Sequence, residues 1–350
     1  MIDYLIVGGG MAGCNLAYNL LKNQRSVHMI DKNSPRTASN IAAGIYNPLL
    51  PKHHKVAFQA ELIYPIIESY YLELEQYLGE TVHFKQPIHY YIETQSELND
   101  WSAYAYNSNL SHWIEVHTSR SDYQFKANNG FLKIKHSGWA DSKKMTTAIK
   151  AKLALTGALT NAYFDYSELS ITDTEINYKG IKAKHIVFCE GCDLINNAIN
   201  TNLELKPAKG EILIIKTELD IDYIAQQGVY MLPLGNQMYK VGSTFSWDVL
   251  DETPTEAGKK EICFKLEKFF KGSYEVVDHY AGVRPSSGDR RPILGALKPY
   301  NNAFVFNGLG SKGVALAPYY GTLMTHHLIN GIPLDKEIST ERYKNKTIVL

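Results

Sequence analysis

Two hydrophobic periods alternate along the chain. Tyr4 to Val7 is a short apolar run of strand character. After a glycine turn, Ala12, Leu16, Ala17, Leu20 and Leu21 recur at helical spacing. SVHMID (26–31) reads as the next strand and ends in Asp31, and HIVF (185–188) as another. IHYYIE (88–93), KGEILIIKT (209–217), VYMLPL (229–234) and MYKVGSTF (238–245) are aromatic-rich and alternate with period two. They suit a sheet with one buried face. The stretch after Pro254 predicts a helix with Ile262, Leu266, Phe269 and Phe270 on its apolar face and its lysines in solvent. Strand and helix patterns alternate to the end, which predicts an α/β or α+β chain.

Composition narrows the classes. The 350 residues are 45% hydrophobic, ample for a large core and two structural units. Lys plus Arg and Asp plus Glu number 36 each, so no global charge steers the chain to nucleic acid or an anionic membrane. No apolar run approaches the roughly 20 residues of a membrane helix. The first residues lack a basic n-region and a cleavage site, so a cytoplasmic protein without membrane partners is expected. The four cysteines are too few for a disulfide framework.

The glycine turn carries chemistry. Gly8, Gly10 and Gly13 give G-x-G-x-x-G between a strand and a helix, with Met11 and Ala12 in the turn. Such a turn brings backbone close to a pyrophosphate and aims free N–H groups and a positive dipole end at it. Asp31 stands where an acid accepts hydrogen bonds from a ribose, and Lys32 follows it. The motif by itself admits FAD or a nicotinamide cofactor. A second glycine loop, Gly308, Gly310, Ser311, Lys312, Gly313, leads into another helical run, with Ser311 a candidate cap. Pro318 marks where that helix starts or bends.

Several stretches, spread in order over nearly the whole chain, carry a family resemblance. They are VGGGMAG, ASNIAAGIYNPLL (38–50), SGWADSKKM (137–145), AKHIVFCEGCD (183–193), PAKGEILII (207–215), VYMLPLGNQMYKVGSTF (229–245), AGVRPSSGDRRPILG (281–295) and NGLGSKGVALAP (307–318). Together they resemble the FAD-dependent oxidoreductases of the D-amino-acid oxidase and glycine oxidase superfamily. AGIYNPLL, VGSTF and GLGSKGVALAP look most like one branch, the flavin domain of the bifunctional tRNA 5-methylaminomethyl-2-thiouridine biosynthesis protein. Here the methyltransferase domain of that branch is absent, and ASNIAA stands in place of its S-G-N.

The resemblance implies a Rossmann-like FAD-binding domain (1–80, 136–206, 276–350). It is interleaved with an α+β substrate domain on a mostly antiparallel sheet (81–135, 207–275). FAD is expected to be non-covalent, because no cysteine follows Cys263 near the second glycine loop. Ser39, Asn40, Ala43 and Gly44 would lie along the flavin, with the loop 308–313 at its ring. Lys312 would add positive charge there or sit in solvent.

Cys189 and Cys192, in C-E-G-C, admit three readings. They are small residues in a turn at the dinucleotide with Gly191 as its glycine, a redox pair, or half of a metal site. The last lacks ligands, since Cys14 and Cys263 stand alone in helical segments.

Arg284, in G-x-R-P, would bind a substrate carboxylate through its two-pronged guanidinium, or form a structural ion pair with Asp289. Arg290 and Arg291 have no assigned role. Tyr46, Tyr230 and Tyr239 are candidates for the substrate wall.

The implied reaction is oxidation of the C–N bond of a small amine or amino acid, with oxygen or another acceptor taking the electrons. The branch resemblance adds a tRNA alternative, removal of a carboxymethyl group from a wobble uridine. That partner needs a basic surface, for which residues 51–55, 143–145 and 259–271 are the candidates. A nicotinamide-linked dehydrogenase and a non-catalytic FAD-binding redox sensor are the readings from other classes.

Overall fold

The computed structural model describes residues 1–51, 54–107, 109–118, 124–126, 129–199 and 203–343. Two eight-stranded sheets carry the fold. The first has a parallel centre. Strand Ile2–Val7 lies between Val27–Asp31 and Ile181–Phe188, with Leu159–Asn161 at one edge and Ala303–Asn307 on the far side of Ile181–Phe188. Helices Met11–Lys22, Ser142–Leu155 and Gly313–Asn330 cover one face of this sheet. The second sheet runs 275–284, 208–216, 238–242, 229–235, 224–227, 88–91, 131–134, 114–117. It is antiparallel at every step except 224–227 beside 88–91. The first sheet's segments bracket the second's along the chain, so the two are interleaved as expected.

Each predicted element forms, some shorter than expected: the strand predicted over 238–245 ends at Gly242, that over 88–93 at Tyr91, and Phe270 lies just past the end of its helix in extended backbone. Helix Glu256–Phe269 starts where the Thr255 hydroxyl accepts from Gly258 N (3.0 Å). Its Ile262, Leu266 and Phe269 are fully buried against Leu213, Met231, Tyr239 and Val241 of the second sheet.

Pro318 neither starts nor breaks its helix, which runs Gly313–Asn330. Proline removes the N–H that would satisfy the carbonyl four residues back. That carbonyl, Val314 O, instead accepts the hydroxyl of buried Tyr71 at 2.8 Å. The helix Ala60–Leu78 that supplies Tyr71 also supplies Tyr70, whose hydroxyl donates to Asn15 Oδ1 (2.9 Å) and accepts from Asn19 Nδ2 (3.2 Å). These bonds dock the first helix, leaving its N-terminal turn facing the junction of the two sheets.

No helix among the described residues is long and apolar enough to cross a membrane. The lysines of 143–145 and 259–271 lie on different helices. Lys52 and His53 lie outside the described residues. Lys144, on the helix over the first sheet, pairs with Glu80. Lys265, on the helix over the second sheet, pairs with Glu261.

Candidate active site

A cavity of about 1070 Å³ runs along the junction of the sheets. At one end it is lined by Gly8, Gly9, Gly10, Met11 and Ala12 and by Asp31 and Lys32. Backbone dominates this end. Gly8 takes a left-handed φ of +100°, and a Cβ on Gly13 would stand 1.9 Å from Gly8 O. Only glycine lets the helix sit this close to the turn. Gly13 itself does not line the cavity; its role is this packing. Met11 N donates to Ser39 Oγ (3.0 Å), and no side chain of Gly10 caps the helix.

Asp31 accepts Gly9 N (3.0 Å) and Lys150 Nζ (3.0 Å), and a carboxylate has lone pairs left for a ribose. Lys32 is held by Asp193 at 2.6 Å. Asn40 faces away, its amide donating to Ser34 O (2.9 Å), so it ties its own loop rather than lining the cavity.

The middle of the cavity is formed by Ser39, Ala43, Gly44, Cys189, Gly191 and the second glycine loop. Asn307 Nδ2 donates to Gly191 O (2.8 Å), joining that loop to the CEGC turn. Gly310, Ser311, Lys312 and Gly313 line the cavity, while Gly308 packs behind it against Ile293. The expected Ser311 cap does not form. Gly310–Lys312 is a 3-10 turn, and the helix opens at Gly313 with no side-chain cap. Lys312 has no side-chain partner among the described residues, and burial lowers its pKa to about 8.

Cys189 and Cys192 are free thiols. Burial pushes both up, Cys192 to about 12, so neither is a thiolate at neutral pH. Cys192 Sγ donates to Val283 O (3.3 Å). No metal-binding cluster exists among the described residues. The small-residue reading fits this environment. Glu190 between them is also at the wall; it accepts Tyr166 Oη and Asn197 Nδ2, and burial raises it to about 7.

The far end is built from side chains. Arg284 closes the strand Glu275–Arg284, and the glycine loop is pinned beside it by Gly310 N to Pro285 O (3.2 Å). Its Nη1 donates to Lys209 O (3.2 Å), its Nη2 to Ser243 Oγ (2.9 Å), and both donate to Thr244 O (3.3 Å). Phe245 stacks under the guanidinium at 4.1 Å. All these partners are neutral. Among the described residues no carboxylate pairs with Arg284. Asp289, the alternative partner, pairs with Arg342 (2.9 Å), and Arg291 pairs with Glu337 (2.7 Å). A Cβ on Gly210 would fall 1.9 Å from Arg284 Nη2, so this glycine makes the guanidinium's room.

Tyr230 and Tyr46 line the cavity, though Tyr46 spends its hydroxyl on His83 Nε2 (2.8 Å). Tyr239 does not reach it. Tyr239 lies in the core under helix 256–269 with its hydroxyl on Leu219 O (2.7 Å). Ser243, Thr244, Phe245, Gly210, Asn307 and Lys150 were not picked out from sequence. All but Lys150 lie within the stretches that carry the family resemblance, Gly210 in PAKGEILII, Ser243 to Phe245 in VGSTF and Asn307 in NGLGSKGVALAP, but nothing in those stretches singles them out.

Residues 3–327 match the family described as DAO, FAD dependent oxidoreductase. The chain belongs to this family. It is an FAD-dependent enzyme, which overturns the nicotinamide alternative. Glycine oxidase of Pseudomonas putida is 23% identical, the match covering 94% of this chain and 95% of that one. The tRNA 5-methylaminomethyl-2-thiouridine biosynthesis bifunctional protein of Legionella pneumophila is 26% identical over 88% of this chain. This chain spans about half of that protein, 47% of its length. The solved glycine oxidase of Geobacillus kaustophilus superposes with a TM-score of 0.79, covering 99% of both chains at 18% identity.

The residues present fit FAD. Two helix N-termini, neither capped by its own N-cap residue and the first with only Ser39 Oγ on Met11 N, line one continuous cavity with a glycine turn that comes within 3.0 Å of Asp31.

Proposed function

We propose that the enzyme oxidises the C–N bond of a small amine bearing a carboxylate, and that Arg284 holds the carboxylate. The observation that carries this reading is a cavity-lining guanidinium whose partners are all neutral. A buried charge without a counter-ion is costly, so the site is built to receive an anion. Burial has lowered the Arg284 pKa, yet the group remains charged throughout the working range.

The division of labour follows the sheets, with one exchange. Segments 1–80, 136–206 and 276–350 hold FAD and 207–275 supplies the substrate wall, but strand 275–284 belongs to the second sheet and carries Arg284 to the substrate end, and 81–135 extends that sheet away from the cavity. Gly8, Gly10, Met11 and Ala12 receive the pyrophosphate, Asp31 a ribose, and the loop 310–313 with Lys312 the flavin ring. FAD is bound without a covalent link in this reading, since no cysteine stands at the second glycine loop.

FAD, when bound, supplies the two-electron acceptor for the amine's α-hydrogen. Arg284 fixes the carboxylate with two parallel charge-assisted hydrogen bonds, and Tyr230 limits how the α-carbon can lie. No general base is assigned, because an amine that arrives neutral needs none. The oxidised product is an imine, which water hydrolyses.

A second reading is oxidative removal of a carboxymethyl group from a modified wobble uridine. The Legionella pneumophila relative favours it, and Arg284 would serve it equally.

Anaerobic addition of N-methylglycine to the purified yellow protein tests the first reading. Bleaching of the flavin absorbance supports it. A flavin that stays oxidised with N-methylglycine and other small carboxylated amines contradicts it, and leaves the modified base.

A further inference from the structure

The strand Met238–Gly242 runs into a stretch without regular structure that forms the rim of the cavity beside Arg284. Phe245, Trp247, Val249 and Leu250 are all exposed there, Trp247 at 60%. Single exposed apolar side chains are ordinary, but a cluster at a cavity mouth marks a binding surface. Phe245 and Leu250 line the cavity itself. From the guanidinium the apolar path continues through the Phe245 ring to the Trp247 ring, 6.4 Å away.

This rim is held in place. Lys209 and Ser246 exchange both backbone hydrogen bonds (2.8 and 3.0 Å). The buried Lys209 ammonium then ties down the far end of the loop through Asp251 and the Thr253 carbonyl, each at 2.5 Å. The same lysine's carbonyl accepts from Arg284 (3.2 Å), so rim and anion site share one anchor. Rings fixed before binding lose little entropy when they are covered. The rim segment 243–252 carries Asp248, Asp251 and Glu252 and no Lys or Arg. That charge disfavours a polyphosphate backbone and leaves an apolar small molecule as the fitting occupant.

We propose that the rim is a second subsite, which takes the aromatic body of a carboxylated secondary amine whose carboxylate sits on Arg284. This rests on the reading of Arg284 given above. Stacking on these two rings is expected to tighten binding by about tenfold over a methyl group.

Two ether analogues, which cannot be oxidised, test this on the FAD-loaded enzyme: methoxyacetate and benzyloxyacetate. Shifts in the visible flavin spectrum report the Arg284 site. Iodide quenching of tryptophan fluorescence reports the rim: Trp101 and Trp113 are buried, Trp139 is half-buried and outside the cavity lining, and Trp247→Phe separates the rim's quenched fraction from that of Trp139. The expected result is that both ligands shift the flavin, that benzyloxyacetate binds about tenfold tighter, and that it alone protects Trp247. Equal affinities without protection overturn the subsite and leave Arg284 standing. Failure of both ligands to shift the flavin overturns both readings, and failure of benzyloxyacetate alone overturns the subsite. A Trp247 already shielded in the free enzyme means a second copy covers the rim, and protection by tRNA at moderate salt means a polynucleotide does. Each of these also overturns the proposal.

Discussion

The two ends of the cavity solve the same problem, binding a negative charge, by different means. At the Gly8–Ala12 end the chain offers backbone N–H groups and a helix terminus, and the nearest acid, Asp31, is already partnered by Lys150. At the other end it offers a full side-chain charge, Arg284, on neutral oxygens drawn from a neighbouring strand and from the stretch that follows Gly242. The first arrangement suits an anion that stays, because partial charges bind without long-lived desolvation cost when the site is empty. The second suits an anion that comes and goes, since the unpaired cation is most costly when the site is unliganded.

The largest expected break in this comparison is at the cofactor end. Gly13→Val would drive a side chain into Gly8 O and separate helix from turn. Such a protein is expected to purify without yellow colour, read as the ratio of visible to ultraviolet absorbance. Full flavin content would mean that the turn does not hold FAD.

Gly210→Ala acts only at the other end. Its Cβ would displace the Arg284 guanidinium from the Ser243 and Thr244 oxygens. Flavin content should be normal, while the concentration of carboxylated amine for half-maximal turnover rises about tenfold, the loss of roughly one charge-assisted hydrogen bond. An unchanged value would detach Arg284 from the substrate.

Glu190 sharpens the contrast through pH. Its folded pKa, about 7, lies above its ordinary value of 4.5 because it is buried. The folded state therefore keeps the proton that the unfolded chain sheds between those values. Stability should fall as pH rises from about 4.5 to about 7, by about 3 kcal/mol, and stay at the lower level above that. Glu190→Gln should abolish this slope in urea titrations of the FAD-free protein. A slope equal to the parent's would place the titration elsewhere.

The smallest effect belongs to the cysteines. Cys189→Ala with Cys192→Ala should keep flavin and turnover, with about 1 kcal/mol of stability lost from the Cys189 packing. Loss of turnover with flavin retained would revive a redox role.

These differences also explain what the sequence disclosed. The dinucleotide end is one contiguous strand, turn and helix, so local spacing displays nearly all of it. The Arg284 cradle is not local. Gly210, Ser243 and Arg284 meet only through strand register, with Ala208 opposite Arg284 and Ile212 opposite Gly242.

Parity decides the tyrosines in the same way. Tyr230 pairs with Gly242 on the cavity face, whereas Tyr239 shares the face of Val241 and Met231, which is core. Aromatic residues occupy both faces of these strands, so composition does not separate the two. Asn40 and Gly308 sit in stretches that carry the resemblance, yet Asn40 bonds to its own loop and Gly308 packs against Ile293 behind the cavity. The fate of Pro318 depended on Tyr71, more than two hundred residues away.

The most direct test is an anaerobic titration with N-methylglycine of the parent and of Arg284→Ala, followed by flavin absorbance. Both proteins should be yellow. The parent should bleach with a saturable midpoint, and Arg284→Ala should need roughly a hundredfold more ligand, for the loss of about 3 kcal/mol in two charge-assisted bonds. Identical midpoints in the two proteins would contradict the assignment of the carboxylate to Arg284, and with it the account of this end of the cavity.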